Sequence, residues 1–212
     1  MTQRLNDLPL SDLVGRLATA DPVPGGGSAS ALAGAMGAAL VEMVVALTAG
    51  RPAAQGHEST LEAIRTRAGA LRADLLRLAD EDADAYAAVV AARRLPKGTD
   101  AERVERQARI AATVRAATRA PLDVVRASAE AFALAESLAP IGNRHAVSDV
   151  GVAGLLTAAA IRGAAMNVEI NLPSLPEDDD LRGEARRAIE AVLADLDGRE
   201  RALASAVGER IG

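Results

Sequence analysis

Two aspartates are the residues whose type and position most suggest chemistry. Asp82 falls in the apolar stripe of a long predicted helix, and Asp149 falls in the first turn of another, directly after a polar loop. A carboxylate on an apolar face must be paired, hydrogen-bonded or raised in pKa, and such groups are candidates for acid–base chemistry. Each also has a plainer interpretation. Asp82 can pair with an arginine, and Asp149 can complement the helix dipole.

A glycine turn is the second candidate feature. Gly25, Gly26 and Gly27 follow two prolines and precede Ser28, which is expected to be the N-cap of a second helix. Backbone N–H groups at a helix N-terminus suit a carboxylate or a phosphate. The alternative is a tight turn whose glycines admit a crossing helix. The Lys-Ser/Thr pair of a Walker-type phosphate loop is missing, so nucleoside triphosphate binding has no support.

The loop from Gly142 to Gly151 is the densest polar cluster in the chain. Asn143 stands at the predicted mouth of a fifth helix, and Ser148 is expected to cap that helix. A Ser-His-Asp triad can be written from Ser28 or Ser148 with His145 and Asp149. No nucleophile-elbow motif accompanies it, and we reject this interpretation.

Composition excludes several classes of function. Half of the 212 residues are hydrophobic and a quarter are charged, which predicts one domain over residues 1–212. The net charge of −5 does not favour nucleic acid as a partner. The absence of cysteine removes disulfides and thiol nucleophiles, and with only two histidines no metal site is expected. One Phe, one Tyr and no Trp exclude a site that stacks a ligand between several aromatic rings.

Alanine richness and helical periodicity predict an all-α protein, a bundle of long antiparallel helices. Small residues at spacings of three and four, among them Gly34 and Ala38, predict that another helix approaches the second helix closely. The first predicted helix is capped by Ser11 or Asp12 and ends near Ala18, and the second runs from Ser28 to Ala49. The third ends near Ala92 and begins with a capping-box pattern of Ser59 and Glu62, and the fourth is capped by Asp100 and is kinked or broken by Pro121 near Arg119. The last two run from Ser148 to Met166 and from Asp180 to Arg210, with an extended segment from Asn167 to Pro176 between them.

The location and oligomeric state follow from the same patterns. A third helix on the order of 50 Å long exceeds the needs of a small globule, and this predicts a homodimer. The apolar run from Ala29 to Ala49 contains Glu42 and is interpreted as a buried helix, with no membrane as partner. The first twelve residues lack an apolar signal core, so the cytoplasm is the expected location.

Several short motifs together resemble one known family over nearly the whole chain. They are Asp21 to Ser28, Met36 to Leu40, Asp80 to Tyr86, Arg94 to Lys97, Ala120 to Leu122, Gly142-Asn143, Ser148 to Val150 and Asn167 to Leu172. In this order they resemble the cyclodeaminase domain of formiminotransferase-cyclodeaminase and its stand-alone bacterial relatives, the methenyltetrahydrofolate cyclohydrolases. One departure is Gly50 to Ala54, where family members often carry Lys and an aromatic residue; Arg51 keeps the charge.

The resemblance implies a dimeric all-helical enzyme acting on C–N bonds of a one-carbon unit held by tetrahydrofolate, with no other cofactor. It leaves cyclodeaminase and cyclohydrolase activity both open. By this resemblance Asp149 is the principal acid–base group, and Asp82 is the second carboxylate or an electrostatic partner. One shared pocket is expected to hold Asp149 and the glycine turn, within one subunit or across the dimer. The implied substrate-binding residues are Gly25, Gly26, Gly27, Ser28, Asn143, Ser148, Asn167 and Asn171. The competing hypothesis is a catalytically silent helical dimer that binds folate or acts as a scaffold.

Overall fold

The computed structural model describes residues 4–211, apart from the side chain of Ala53. Residues 1–3 and 212, the ends of the predicted single domain, lie outside the described residues. The described chain forms helices without a strand. The α-helices are α1 (Leu10–Leu17), α2 (Gly26–Thr48), α3 (Glu58–Arg93), α4 (Asp100–Leu138), α5 (Val147–Asn171), α6 (Asp180–Leu193) and α7 (Leu196–Ile211). Single 3₁₀ turns lie at Leu5–Asp7, Pro52–Ala54, Arg144–Ala146 and Leu172–Ser174.

Helices α2 to α5 form an up-down-up-down bundle, which confirms the predicted fold class. Each helix runs antiparallel to the next along the chain, and α5 returns to lie antiparallel against α2. Helices α6 and α7 cover the outside of α4 and α5. With 36 and 39 residues, α3 and α4 are much longer than α2 and α5, so their connected ends project beyond the other two helices.

Small residues on α2 let its neighbours approach closely, as the sequence predicts. A Cβ at Gly34 would lie 2.7 Å from the Ser128 hydroxyl, and one at Gly37 would lie 2.6 Å from Thr157 Cγ2. Real side chains do not pack at these distances. The free energy that glycine costs inside a helix is therefore offset by close contact with α4 and α5.

Several predicted helix caps are wrong. Helix α1 begins at Leu10 after Pro9, without a side-chain cap from Ser11 or Asp12. Helix α2 begins at Gly26, so Ser28 is not its N-cap. Helix α3 begins at Glu58 with His57 at its N-cap position, so Ser59 lies inside the helix and the predicted capping box does not form; Glu62 pairs with Arg65 instead. Thr99 rather than Asp100 caps α4, in a capping box with Glu102.

Three longer segments also differ from expectation. Helix α4 continues unbroken through Pro121. Helix α5 does not end at Met166 but reaches Asn171, because the nearest proline is Pro173, beyond its end. The predicted last helix is two helices, since the chain turns after Leu193 so that α6 packs on α4 and α7 packs on α5.

Two segments have the length and apolar composition of a membrane span, α2 and residues 144–174. Half of each apolar window is buried against the rest of the bundle, as in the core helix of a soluble protein. Their other halves lie side by side at the surface.

Candidate functional site

Asp82 reaches from α3 to the N-terminus of α2. Its Oδ2 accepts a hydrogen bond of 3.0 Å from the Ser28 hydroxyl, and the Ser28 backbone N–H also donates to the carboxylate. The N-cap position of α2 is Gly25, which has no side chain to accept hydrogen bonds from the free backbone N–H groups of the first helical turn. Asp82 therefore caps α2 from a different helix.

The three glycines before Ser28 meet different surroundings. A Cβ at Gly27 would lie 2.2 Å from Asp82 Oδ1, so only glycine allows the carboxylate to lie over the helix end. A Cβ at Gly26 would lie 3.4 Å from Asn167 Nδ2 on α5, whereas one at Gly25 would have nothing within 4 Å. The turn is thus shaped by Asp82 on one side and by Asn167 on the other.

Burial raises the pKa of the Asp82 carboxyl above its ordinary value, against the opposing effect of the hydrogen bonds from Ser28, which lower that pKa. The arginine pair considered for Asp82 does not form among the described residues. A half-buried carboxyl with a raised pKa beside a helix N-terminus is suited to moving a proton and to stabilising a cation.

Asn167 brings a polar group from α5 to this turn. Its Nδ2 donates to the Gly163 carbonyl at 2.8 Å, and its Oδ1 has no hydrogen-bond donor among residues 4–211. An amide oxygen without a partner is free to accept from a ligand. We call Gly25–Ser28, Asp82 and Asn167 the glycine-turn cluster.

Asn171 lies one turn further along α5 and has an explanation in the fold. Pro121 lacks an N–H, so the Ala117 carbonyl four residues earlier has no helical donor. The Asn171 Nδ2 donates to that carbonyl at 2.9 Å. This bond explains how α4 continues through Pro121, and it leaves the predicted substrate contact of Asn171 without geometric support.

Asn143 and Ser148 lie at the other end of the bundle, away from the glycine turn. Asn143 is buried and both polar atoms of its side chain are hydrogen-bonded within the fold, since Oδ1 accepts from the His145 N–H and Nδ2 donates to the Leu47 carbonyl, each at 3.0 Å. Helix α5 begins at Val147 after Ala146, so the prediction that Ser148 caps it is wrong. The Ser148 side chain is exposed.

Asp149 lies in the first turn of α5, as predicted, but far from the glycine-turn cluster. Asn167 contacts Gly26, and Asp149 precedes Asn167 by 18 residues on the same helix. At 1.5 Å per residue this is a separation of about 27 Å. The expectation of one shared pocket within a subunit is therefore wrong, because α5 runs antiparallel to α2 and carries Asp149 to the opposite end. Two groups so far apart in one subunit cannot both touch one reacting carbon.

Sequence reasoning missed a cleft of about 670 Å³ between α3 and the N-terminal segment, which reaches Pro24 next to the glycine turn. The N-terminal segment forms one wall, with the Leu5 N–H donating to Asp80 Oδ1 at 2.6 Å. Arg77 in this cleft pairs with Glu81 at 2.5 Å. Its only signal in the sequence is the group of four acidic residues on α3, of which Asp80, Glu81 and Asp84 line the cleft. The fourth, Asp82, faces α2.

Comparisons with known proteins agree on one family. Residues 9–191 match the family model described as formiminotransferase-cyclodeaminase. The chain is 40% identical to the methenyltetrahydrofolate cyclohydrolase of Methylorubrum extorquens over 92% of this chain and 89% of that protein. It is 34% identical to the rat formimidoyltransferase-cyclodeaminase, but spans only 36% of that longer protein. The crystal structure of formiminotetrahydrofolate cyclodeaminase from Thermotoga maritima superimposes with a TM-score of 0.86, at 26% identity, over 99% of this chain and 100% of that one.

Proposed function

Because this chain belongs to the formiminotransferase-cyclodeaminase family, we propose that it is an enzyme of tetrahydrofolate one-carbon chemistry, a methenyltetrahydrofolate cyclohydrolase. The observation that favours hydrolysis is the 40% identity to a cyclohydrolase that extends over nearly the full length of both proteins. The longer relatives are covered over only about a third of their length, so no transferase activity is proposed. We expect a cytoplasmic enzyme that needs no cofactor beyond its folate substrate.

In the proposed reaction, the methenyl carbon of 5,10-methenyltetrahydrofolate bridges N5 and N10 as an amidinium-like cation. Water adds its oxygen to this carbon, and the proton that it loses passes to the Asp82 carboxylate. The carbon–N5 bond then breaks with its electron pair moving to N5, which takes the proton from Asp82, while the new hydroxyl loses its proton to solvent. The product is 10-formyltetrahydrofolate, and one proton is released overall.

Cyclodeaminase activity is the second candidate, favoured by the likeness to the Thermotoga maritima structure over the full length of both chains. In that reaction N10 of 5-formiminotetrahydrofolate attacks the formimino carbon and ammonia leaves. Both reactions pass through a tetrahedral carbon between nitrogens, and Asp82 can serve either one. The two differ in whether water attacks or ammonia departs.

An exposed apolar face supports the proposed homodimer. The outward sides of α2 and α5 carry large hydrophobic side chains at helical spacing, namely Met36, Met43, Leu47, Val152, Leu155, Met166 and Ile170. Large hydrophobic side chains exposed together on one face favour an interface with another protein. The glycine-turn cluster lies at one end of this face, and Asp149 lies at the other.

A two-fold axis lying in this face and crossing the helices would lay the Asp149 end of one subunit on the glycine-turn cluster of its partner. Asp149 then acts on a substrate bound at Asp82 of the other subunit. In this arrangement Asp82 is the group that exchanges the proton, and Asp149 helps to stabilise the cationic carbon.

The absorbance of 5,10-methenyltetrahydrofolate separates the candidate functions. Faster loss of this absorbance than in buffer supports the cyclohydrolase, and its appearance from 5-formiminotetrahydrofolate supports the cyclodeaminase. If neither absorbance change is seen, the protein is the silent folate-binding scaffold and the proposal is overturned.

A mixture of Asp82→Asn chains and Asp149→Asn chains tests whether the site is shared between subunits. Each mixed dimer would have one site with both aspartates, so about a quarter of all sites in a random mixture would be intact. Recovery of about that share of wild-type activity is expected, and no recovery contradicts sharing.

A further inference from the structure

Beyond Asp82, one face of α3 is left uncovered by α2. Helix α2 begins at Gly26, beside Asp82, whereas α3 continues for 11 more residues to Arg93. This overhang is about 16 Å long. Val89, further along α3, is still buried in the core, but the part of this face directly after Asp82 is open to solvent, beside the glycine-turn cluster.

Tyr86 is the first residue on this open face. It follows Asp82 by four residues, so the two side chains are neighbours on one side of the helix. The Tyr86 side chain is 40% exposed, and its hydroxyl has no hydrogen-bond partner among the described residues. The sequence has one phenylalanine and no tryptophan, and that phenylalanine, Phe132, is fully buried beneath the Arg199 guanidinium. Tyr86 is thus the only phenyl, phenol or indole ring that the sequence can present to a ligand, and it stands one helical turn from the proposed acid–base group.

We infer that Tyr86 is a substrate-positioning residue whose ring stacks on an aromatic ring system of the folate substrate. This inference rests on the proposed function. The reacting carbon of the substrate lies between the pterin and the p-aminobenzoyl ring, so an Asp82 that acts on this carbon brings one of these flat groups within a helical turn. Stacking on a single exposed ring is worth a substantial binding energy for flat heterocycles, and it requires no polar partner.

Three variants test this role in steady-state kinetics. Tyr86→Leu keeps an apolar side chain but removes the ring, and we expect the KM for 5,10-methenyltetrahydrofolate to rise at least about fivefold, with a smaller effect on kcat. Tyr86→Phe keeps the ring and should retain the wild-type KM. Val104→Ala, at an exposed position on α4 outside the site, is the matched control and should change neither constant.

A spectroscopic measurement detects the contact without turnover. Because the chain has a single tyrosine, protein labelled with ¹³C in the tyrosine ring gives signals from Tyr86 alone. Saturating 5-formyltetrahydrofolate, which has both ring systems, should shift these signals through its ring currents. An active enzyme with unmoved tyrosine signals and an unchanged KM in Tyr86→Leu overturns the inference but not the proposed function. An enzyme that turns over neither folate substrate overturns the proposed function, and unmoved tyrosine signals would then overturn the inference as well.

Discussion

The Ser28 hydroxyl lies 3.0 Å from Asp82 Oδ2 and also 3.0 Å from the Ala79 carbonyl oxygen. A hydroxyl has one proton, so it can donate to only one of these acceptors at a time. When Asp82 is ionised, Ser28 donates to the carboxylate. When Asp82 is protonated, the carboxyl can donate to Ser28 while Ser28 donates to Ala79. Both protonation states are hydrogen-bonded, which suits a group that takes up and returns a proton in each catalytic cycle.

Removing this hydroxyl should move the pH dependence of activity. Ser28→Ala deletes a hydrogen bond that lowers the Asp82 pKa, while burial continues to raise it, so that pKa should rise further. Because Asp82 must be ionised to accept a proton from water, the acidic limb of kcat/KM should shift to higher pH. Ser30→Ala is the control, since the Ser30 hydroxyl donates to the Gly26 carbonyl at 2.7 Å and not to Asp82. Equal shifts in both variants would count against the assignment.

Asp82→Asn should lose activity and gain stability at neutral pH. The loss in kcat should be about 10²- to 10⁴-fold, as for other acid–base groups. The folded-state pKa of Asp82 is raised above its unfolded value, so wild-type stability is greatest below the unfolded pKa and falls as pH rises through the folded pKa. Asparagine does not ionise, so the variant avoids this fall.

Urea denaturation at pH 7 and at pH 3 measures the difference. The variant's advantage in free energy of unfolding should be present at pH 7 and should shrink at pH 3, where the wild-type carboxyl is protonated in both states. An advantage that grows toward low pH would have the wrong sign for a raised pKa.

The features of the site that the sequence predicted are those set by residues close together in the chain, and the features that it missed depend on contacts between distant helices. Helical periodicity alone identified Asp82 as a carboxylate on a buried stripe, and small-residue spacing identified the close packing of α2. The cap of α2 was mispredicted because the sequence offers Ser28 as a local cap, whereas the structure uses Asp82, 54 residues away. The role of Asn171 was likewise invisible, because its partner is a carbonyl freed by Pro121 on another helix. The separation of Asp149 from the glycine turn depends on the direction in which α5 returns along α2, which no local pattern encodes.

Gly27→Ala should remove activity with little effect on stability. The new Cβ would occupy the position of the Asp82 carboxyl, which must turn away and so leave the α2 N-terminus. Losing this cap costs about 1 kcal/mol, and alanine returns about 1 kcal/mol of helix propensity. Activity should therefore fall toward that of Asp82→Asn while the free energy of unfolding changes by less than about 1 kcal/mol.

Gly25→Ala is the matched structural control, because its Cβ meets nothing within 4 Å and its φ of −132° suits any residue. Its melting temperature should equal that of the wild type. If Gly27→Ala proved fully active, Asp82 would not need its place over the turn, and its assignment as the acid–base group would fail.

Asn171 and Pro121 should be energetically coupled. Asn171→Ala leaves the Ala117 carbonyl without a donor, and we expect a loss of about 1–3 kcal/mol in the free energy of unfolding. In a Pro121→Ala background, the N–H of the new alanine can donate to Ala117, so the same Asn171 substitution should cost no more than about 0.5 kcal/mol. Urea denaturation of the four proteins of this double-mutant cycle measures the coupling. Additive effects would show that Asn171 does not replace the missing helical bond, and its implied role in holding the substrate would then regain force.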